Sequence, residues 1–454
     1  MMTLNPMKLP NTIRHHRTIF ENYFFMTFLQ IANVLIGILL FPYLIGTLGK
    51  DMYGTFVFIA SNINLLGLFV TFGFDFPALK KISLNPDDRE IKSKTVSEVM
   101  TAKLILFLAG IFALAVAVVA IPFVRENVLI YAIVYAMSLG QILMPYWYFQ
   151  GIQKIKFVTY VNIGFRLLII PFIFLFIKTP EDLLFYAIII SIAPFCGGLF
   201  TIFYLQYKEH LNVRLLKPSR QIFRDALPFF WSSALGTVKQ ELLTFLIGTF
   251  FSMDKVAIFD LANKIIAAPR MLTLKINAAI FPSMIKNATI AKIKKIFRYE
   301  MWIGFAITVC VAALGYPAVL LLGGRDMIEA FPLSVILSAT IFLWLIVGCY
   351  INFVFVPQNR YYLVTKNQFT ALISFAAMSA LVLAIHPSIF LLVVAFTLSH
   401  VAEWAYCYWV TKKEKLLTNA NTITNANTIT NANTITNANT IANADIITNA
   451  NTNE

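Results

Sequence analysis

Twelve apolar runs, each near the ~20 residues that a helix needs to cross ~30 Å of hydrocarbon, constrain this chain more than any other feature. They lie at 22–45, 53–73, 101–123, 127–150, 157–178, 183–205, 226–250, 256–283, 298–323, 332–356, 362–385 and 387–411. Inside a bilayer no water satisfies backbone N–H and C=O groups, so a run of this length forms a helix that bonds to itself. The expected fold is therefore an all-α integral membrane protein with twelve transmembrane helices. Composition agrees: 59% of the 454 residues are hydrophobic and 13% charged, against about 45–50% and 25% in soluble domains.

Lys and Arg resist translocation, so their placement gives the orientation. With the amino terminus inside, 24 of the 36 Lys and Arg fall on the inner side, five on the outer side and seven within spans. Gaining or losing one span would scramble this asymmetry, so both termini are expected in the cytoplasm. The same placement accounts for the net charge of +14: basic loops beside spans meet anionic headgroups, and no nucleic-acid-binding pattern accompanies them. The first run is too long for a signal-peptide core and lacks a small-residue cleavage pattern, so it is read as the first span.

"LIGTLGKDMYGTFVFIASNI" from Leu44 and "LIGTFFSMDKVAIFDLANKI" from Leu246 share six of twenty positions at an offset of 202 residues, which is six spans. Two six-helix lobes in parallel orientation around a central cavity follow, with the pathway between them. The expected organisation is a cytoplasmic segment 1–21, an N-lobe 22–205, a basic cytoplasmic linker 206–225, a C-lobe 226–411 and a cytoplasmic tail 412–454. The tail repeats "TNANTI" four times between Thr418 and Ile441. Four hexads make little more than one unsupported β-helical coil, so a disordered low-complexity tail is expected.

The charges inside the spans need a reason, since each costs roughly 2.5–3.5 kcal/mol at mid-bilayer. Span 8 carries Asp260, Lys264, Arg270 and Lys275; span 7 carries Lys239 and Glu241; span 5 carries Arg166. At ~100° per residue, Asp260, Lys264 and Lys275 share a face and Arg270 points some 120° away. Two readings stand. In one, Asp260 neutralises Lys264 at i,i+4, Glu241 pairs with Lys239, and Lys275 snorkels to an interface. In the other, the excess of positive charge, with Arg166 and Arg270 lacking acidic partners nearby in sequence, lines an aqueous cavity for an anionic cargo. The substrate-binding cations are then Arg166, Lys239, Lys264, Arg270 and Lys275, and Asp260, Glu241 and Asp75 serve ion coupling or charge pairing. The cluster Tyr146, Trp147, Tyr148 reads as an interfacial aromatic belt or as a sugar-stacking surface.

"LLFPYLIGTLGKDMYGTFVF", "VTFGFDFPALKKIS", "PYWYFQGIQKIKFVTYVNIGFRLL" and "FPSMIK" resemble segments of the Wzx-type O-antigen and capsular polysaccharide flippases. These belong to the polysaccharide transporter family, within the multidrug/oligosaccharidyl-lipid/polysaccharide exporter superfamily. The resemblance implies a two-lobed inner-membrane transporter that turns undecaprenyl-diphosphate-linked oligosaccharide from the cytoplasmic to the periplasmic leaflet by alternating access. It also implies a proton or sodium gradient as the driving force, a cationic cavity with Arg166 on its N-lobe side, and a polymerase and chain-length proteins as partners. Lys239, Lys264, Arg270 and Lys275 are added to that cavity from charge and depth alone. Asp75 stands where such proteins usually have Asn, and Lys80 and Lys81 where they tend to have Arg.

Rival functions fit less well. No GxxxxGK[ST] loop, zinc spacing or nucleophile elbow points to an enzyme. A membrane polymerase would need an extended outer loop, and the longest outer connection runs only from Gly324 to Phe331. A cation-coupled multidrug exporter of the same superfamily, the nearest alternative, would favour buried carboxylates over cations. The four cysteines lie in apolar runs without CxxC spacing, and no histidine pairs with a second ligand, so neither a disulfide nor a metal is expected.

Overall fold

The computed structural model describes residues 11–287, 290–358 and 360–416, with side chains described except at 11–20, 23, 272 and 274–290. The described residues are helical with short connections and contain no strand. The N-terminal half holds α1 (Asn11–Thr71), α2 (Asp75–Leu84), α3 (Arg89–Ala120), α4 (Pro122–Glu126), α5 (Val128–Leu143), α6 (Tyr146–Gly151), α7 (Ile155–Phe176) and α8 (Leu183–Tyr207). The C-terminal half holds α9 (Arg220–Phe250), α10 (Met253–Asn287), α11 (Ile290–Gly323), α12 (Ala330–Tyr350), α13 (Tyr361–Ile385) and α14 (Ile389–Lys413). Each of the twelve apolar runs coincides with helix.

Nine helical segments among the described residues are long and apolar enough to cross a membrane. The first of these, Phe24–Thr71, contains two of the expected spans, and α9 and α10, which carry Lys239, Glu241, Asp260, Lys264 and Arg270, are not among the nine. The all-α membrane architecture is thus as expected, while the count of twelve rests on reading those helices as spans. Gly49 divides α1: its φ of 76° and ψ of 168° are non-helical, so the chain turns back there between the two spans. At the other end of the second arm Gly73, at φ 69°, makes the turn into α2.

Local chemistry fixes the remaining ends. Asp88 caps α3 by accepting from the Ile91 N–H at 2.9 Å. Asp182 accepts from the N–H groups of Lys178 and Thr179, each at 2.8 Å, and those two bonds hold its carboxyl below the usual range. Span 4 is not one helix. Pro145 lacks an N–H and bars its predecessor from helical geometry, so α5 ends before Met144 and α6 restarts at Tyr146. Small residues let α5 and α8 approach closely; a Cβ on Gly140 would stand 2.4 Å from the Pro194 carbonyl carbon.

Two extended clusters of buried side chains fill the N-terminal half, and the larger one continues through α9, α10 and α12 of the other half. The second arm of α1 forms much of the seam between halves. A Cβ on Gly54 would lie 1.8 Å from the Met253 carbonyl oxygen, and one on Gly248 would lie 2.2 Å from the Phe58 ring. The basic linker does not hang free. The N–H groups of Asn212, Arg214 and Leu216 donate to Ser93, Ser97 and Thr101 of α3 at 3.1–3.2 Å. Two extended residues advance ~6.6 Å and four helical residues ~6 Å, so alternate linker amides meet every fourth hydroxyl in register.

Candidate functional site

A cavity of about 220 Å³ lies in the N-terminal half, on the side of the α2 turn, and reaches α9 at Ser233 and Thr237. Its polar wall comes from Gln30 and Asn33 of α1, Asp75 at the start of α2, Lys103 of α3, Gln141 of α5 and Asn162 and Arg166 of α7. Lys103 is 6% exposed, and its ammonium donates to Asp75 at 2.5 Å. The Lys103–Asp75 pair and Arg166 are the charged groups of this wall. Asn162 donates to the Tyr146 hydroxyl at 2.6 Å. Such a cavity is smaller than a typical small-molecule site of ~300–1,000 Å³, so it receives part of a large cargo and not the whole.

The C-terminal half treats its charges differently. Lys239, on α9, donates to Glu403 and lies 3.3 Å from His400 Nε2, both on α14. All three are nearly sealed, at 6%, 2% and 4% exposure. The Lys239 ammonium also lies 5.6 Å from the centre of the Phe396 ring, and His400 Nδ1 is 3.0 Å from the Phe396 carbonyl. Arg270, half-buried on α10, lies within electrostatic reach of Glu403 and His400. One acid thus serves two cations.

A third group sits on the seam between halves. Asp260 accepts from Tyr53 at 2.8 Å and holds Lys264 at 3.2 Å, and the Lys264 ammonium lies 5.7 Å from the centre of the Phe41 ring. Further along, Glu241 accepts from Ser61 at 2.6 Å and from Asn64 at 3.2 Å. Apart from the Asp260–Lys264 pair, which lies within α10, each of these contacts joins α1 to the C-terminal half.

The five cations named from the sequence therefore do not share one cavity. Arg166 lines the cavity, Lys239 and Arg270 join the buried cluster, and Lys264 belongs to the seam. The Lys275 side chain lies outside the described residues. The Asp260–Lys264 pair forms as the i,i+4 spacing allows. The Glu241–Lys239 pair does not form: residues two apart on a helix face ~200° away from each other, and each finds its partner on another helix. Arg270 has an acid near it after all, Glu403, invisible to any search of neighbouring sequence. Asp75 enters a charge pair with Lys103, 28 residues further along the chain and so without a local signal in sequence. The aromatic cluster is no interfacial belt, since Trp147 and Tyr148 are 4% and 0% exposed. The Pro145 break turns α6 inward, so these rings pack in the core, with Tyr146 and Trp147 bordering the cavity.

The arrangement of helices matches solved transporters. It is similar to the lipid II flippase MurJ in its inward closed conformation, at 13% identity and a TM-score of 0.63, over 87% of each chain. It is also similar to a MATE family multidrug resistance transporter in its inward-facing conformation, at 13% identity and a TM-score of 0.59, over 86% of this chain and 99% of that one. The latter is a member of the MOP superfamily, and the fold is shared with it. The sequence pattern of the polysaccharide biosynthesis protein family matches residues 19–288, more than half of the chain, and the chain belongs to that family. A protein of Escherichia coli (strain K12) named as an O-antigen transporter is 26% identical over 314 residues, 68% of this chain and 74% of its own length. One of Shigella dysenteriae with the same name is 27% identical over 259 residues, 56% of this chain and 64% of its own length. These findings agree with the resemblance read from the motifs.

Proposed function

We propose that the chain is a flippase that moves undecaprenyl-diphosphate-linked oligosaccharide repeat units from the cytoplasmic to the periplasmic leaflet for O-antigen or capsule synthesis. The observation that carries this reading is the N-lobe cavity, whose wall brings Arg166 and the Lys103–Asp75 pair together with amides and hydroxyls. An isoprenoid tail can stay in lipid, whereas a diphosphate and sugars cannot cross ~30 Å of hydrocarbon unaided. A polar cavity in a helical membrane lobe, with cationic side chains in its wall, offers the headgroup a way in.

The O-antigen transporter name of the two curated relatives and the family match support the cargo class. The charge asymmetry supports an inner-membrane protein with both termini cytoplasmic. On that orientation the cavity lies toward the cytoplasm, and the contacts of Tyr53, Gly54 and Lys50 with α10 and residue 326 close the periplasmic end. Cycling between this arrangement and its opposite is alternating access, driven in this reading by a proton or sodium gradient and feeding a polymerase with its chain-length proteins. The competing drug-exporter reading draws only on the shared fold.

Arg166→Gln tests the reading, because it keeps bulk and hydrogen bonding while removing charge. Export should fall by about tenfold or more, the worth of one charge-assisted contact, with unchanged protein in the membrane and lipid-linked repeat units retained on the cytoplasmic face. Wild-type surface polysaccharide in that variant would refute the cationic role.

A further inference from the structure

The cavity holds more unmet hydrogen-bonding capacity than a diphosphate alone would use. Gln30 and Asn33 are 9% and 4% exposed, and an amide oxygen of each is buried in the cavity wall with no hydrogen-bond partner. Asn162 is a third case: its nitrogen donates to Tyr146 while its oxygen has no partner. A buried amide atom without a partner is costly, and a fold keeps three in one wall when something else supplies the missing bonds.

The chemistry of the wall narrows what that is. A phosphate needs donors only, and lone carbonyl-type oxygens repel it. A divalent cation is held chiefly by charged oxygens, and the cavity's carboxylate, Asp75, is already tied to Lys103. A side-chain amide presents one donor and one acceptor group, and exchanging its O and N changes only their order. The matching ligand group both donates and accepts, as a sugar hydroxyl or an acetamido group does. Tyr146 and Trp147 border the same space, and ring edges and faces suit the C–H surface of a pyranose. Arg166, in the same wall, sets the distance from such a ring to a neighbouring phosphate.

The geometry points to the N-lobe cavity as a saccharide-reading subsite, in which Gln30, Asn33 and Asn162 bind hydroxyl or acetamido groups of the sugar beside the diphosphate. This inference rests on the flippase reading and adds that selectivity for the sugar resides in α1 and α7. Arg166 captures charge, and the amides read what is attached to it.

The test uses the full-length protein purified in detergent and three probes: the pool of lipid-linked saccharides extracted from the producing cells, undecaprenyl diphosphate without sugar, and saccharide released from the same pool. Wild-type protein should prefer the lipid-linked saccharide over the sugar-free lipid by about tenfold or more, the worth of one or two hydrogen bonds. The Gln30→Leu/Asn33→Leu variant should lose that preference while holding the sugar-free lipid as well as wild type does. Its melting temperature should stay level or rise, because near-isosteric apolar groups replace unpartnered polar ones. If the double variant cannot be recovered, Asn33→Leu alone should lose part of the preference.

Retained preference in the variant would overturn the subsite. So would equal loss of both lipid probes, which marks the amides as structural. Equal wild-type binding of the two lipids means that water alone fills the amide wall, which overturns the subsite and leaves diphosphate capture standing. Released saccharide binding as tightly as the lipid-linked form would assign the cavity to free sugar and overturn the inference. Failure of wild type to bind either lipid would bring down the flippase reading as well.

Discussion

The two halves carry intramembrane charge in opposite ways. In the N-terminal half Lys103, Asp75 and Arg166 border a cavity whose wall continues in amides and hydroxyls. In the C-terminal half Lys239, Glu403 and His400 close on one another between α9 and α14, with Arg270 near and exposure of the three at 6% or less. The lesson concerns inference from charge in a span. A cation in hydrocarbon must have a partner, but that partner can be water, a cargo or an acid on a distant helix, and only three-dimensional placement decides among them.

The contrast breaks most visibly at Glu403. Replacing it with Gln strands Lys239 and Arg270, at a cost of about 3–5 kcal/mol for a broken buried pair. Membrane levels and thermal stability should collapse. Lys239→Met with Glu403→Leu removes both charges of the pair and should recover the part of the loss that belongs to Lys239, since apolar replacement of a buried pair is often neutral, while Arg270 still lacks its acid. A recovered double variant that exports normally makes the cluster structural; one that inserts but fails to export brings Lys239 back into transport.

Gly54→Ala comes next. The new methyl meets the Met253 carbonyl at 1.8 Å, backbone that cannot rotate away, and the strain should cost about 1–3 kcal/mol. The seam should part, so that a cysteine at Ala257, buried in the native packing, becomes reactive to reagents applied outside. An unreactive Ala257→Cys in that background would show that the seam absorbs the methyl.

Asp75→Asn should act more on the cavity than on the fold. Asp75 is 30% exposed at its side chain, so the stability loss should stay near ~1–2 kcal/mol, between the buried and surface cases. Lys103 then adds its charge to that of Arg166, and undecaprenyl diphosphate without sugar should bind more tightly. Unchanged affinity would place Lys103 out of reach of the cargo.

The smallest effect belongs to the tail. Residues from 417 onward lie outside the described structure, whereas Leu416 is 4% exposed and its carbonyl accepts from Gln358 at 2.9 Å. Truncation after Leu416 should leave export and membrane level at wild type, as judged by surface polysaccharide. Loss of polysaccharide at normal protein level would give the repeats a role.

What was legible in the sequence follows the range of the forces involved. The helical segments were legible because hydrocarbon thickness acts on contiguous residues, and the i,i+4 pair Asp260–Lys264 because one helix brings it together. Arg166 as a cavity residue came from depth and from the resemblance to known flippases. Glu403 and His400 were missed because what makes them matter is a lysine 164 and 161 residues earlier. Lys103 was missed for the same reason, its partner lying in a turn counted as a loop. Gln30 and Asn33 stand three apart in the first span, and two uncharged amides on one helix face were the available signal. Pro145 was in plain view inside span 4, yet hydropathy averaged over it.

The long separation between Lys239 and Glu403 has a meaning in time as well as space. A ribosome makes the intervening 164 residues in roughly 10–30 s at ~5–20 residues per second. Through that interval span 7 holds a lysine in the membrane before its acid exists, against an insertion cost of ~2.5–3.5 kcal/mol. The acid that neutralises Lys239 thus arrives only with α14, and nascent chains stopped short of it carry that lysine without Glu403.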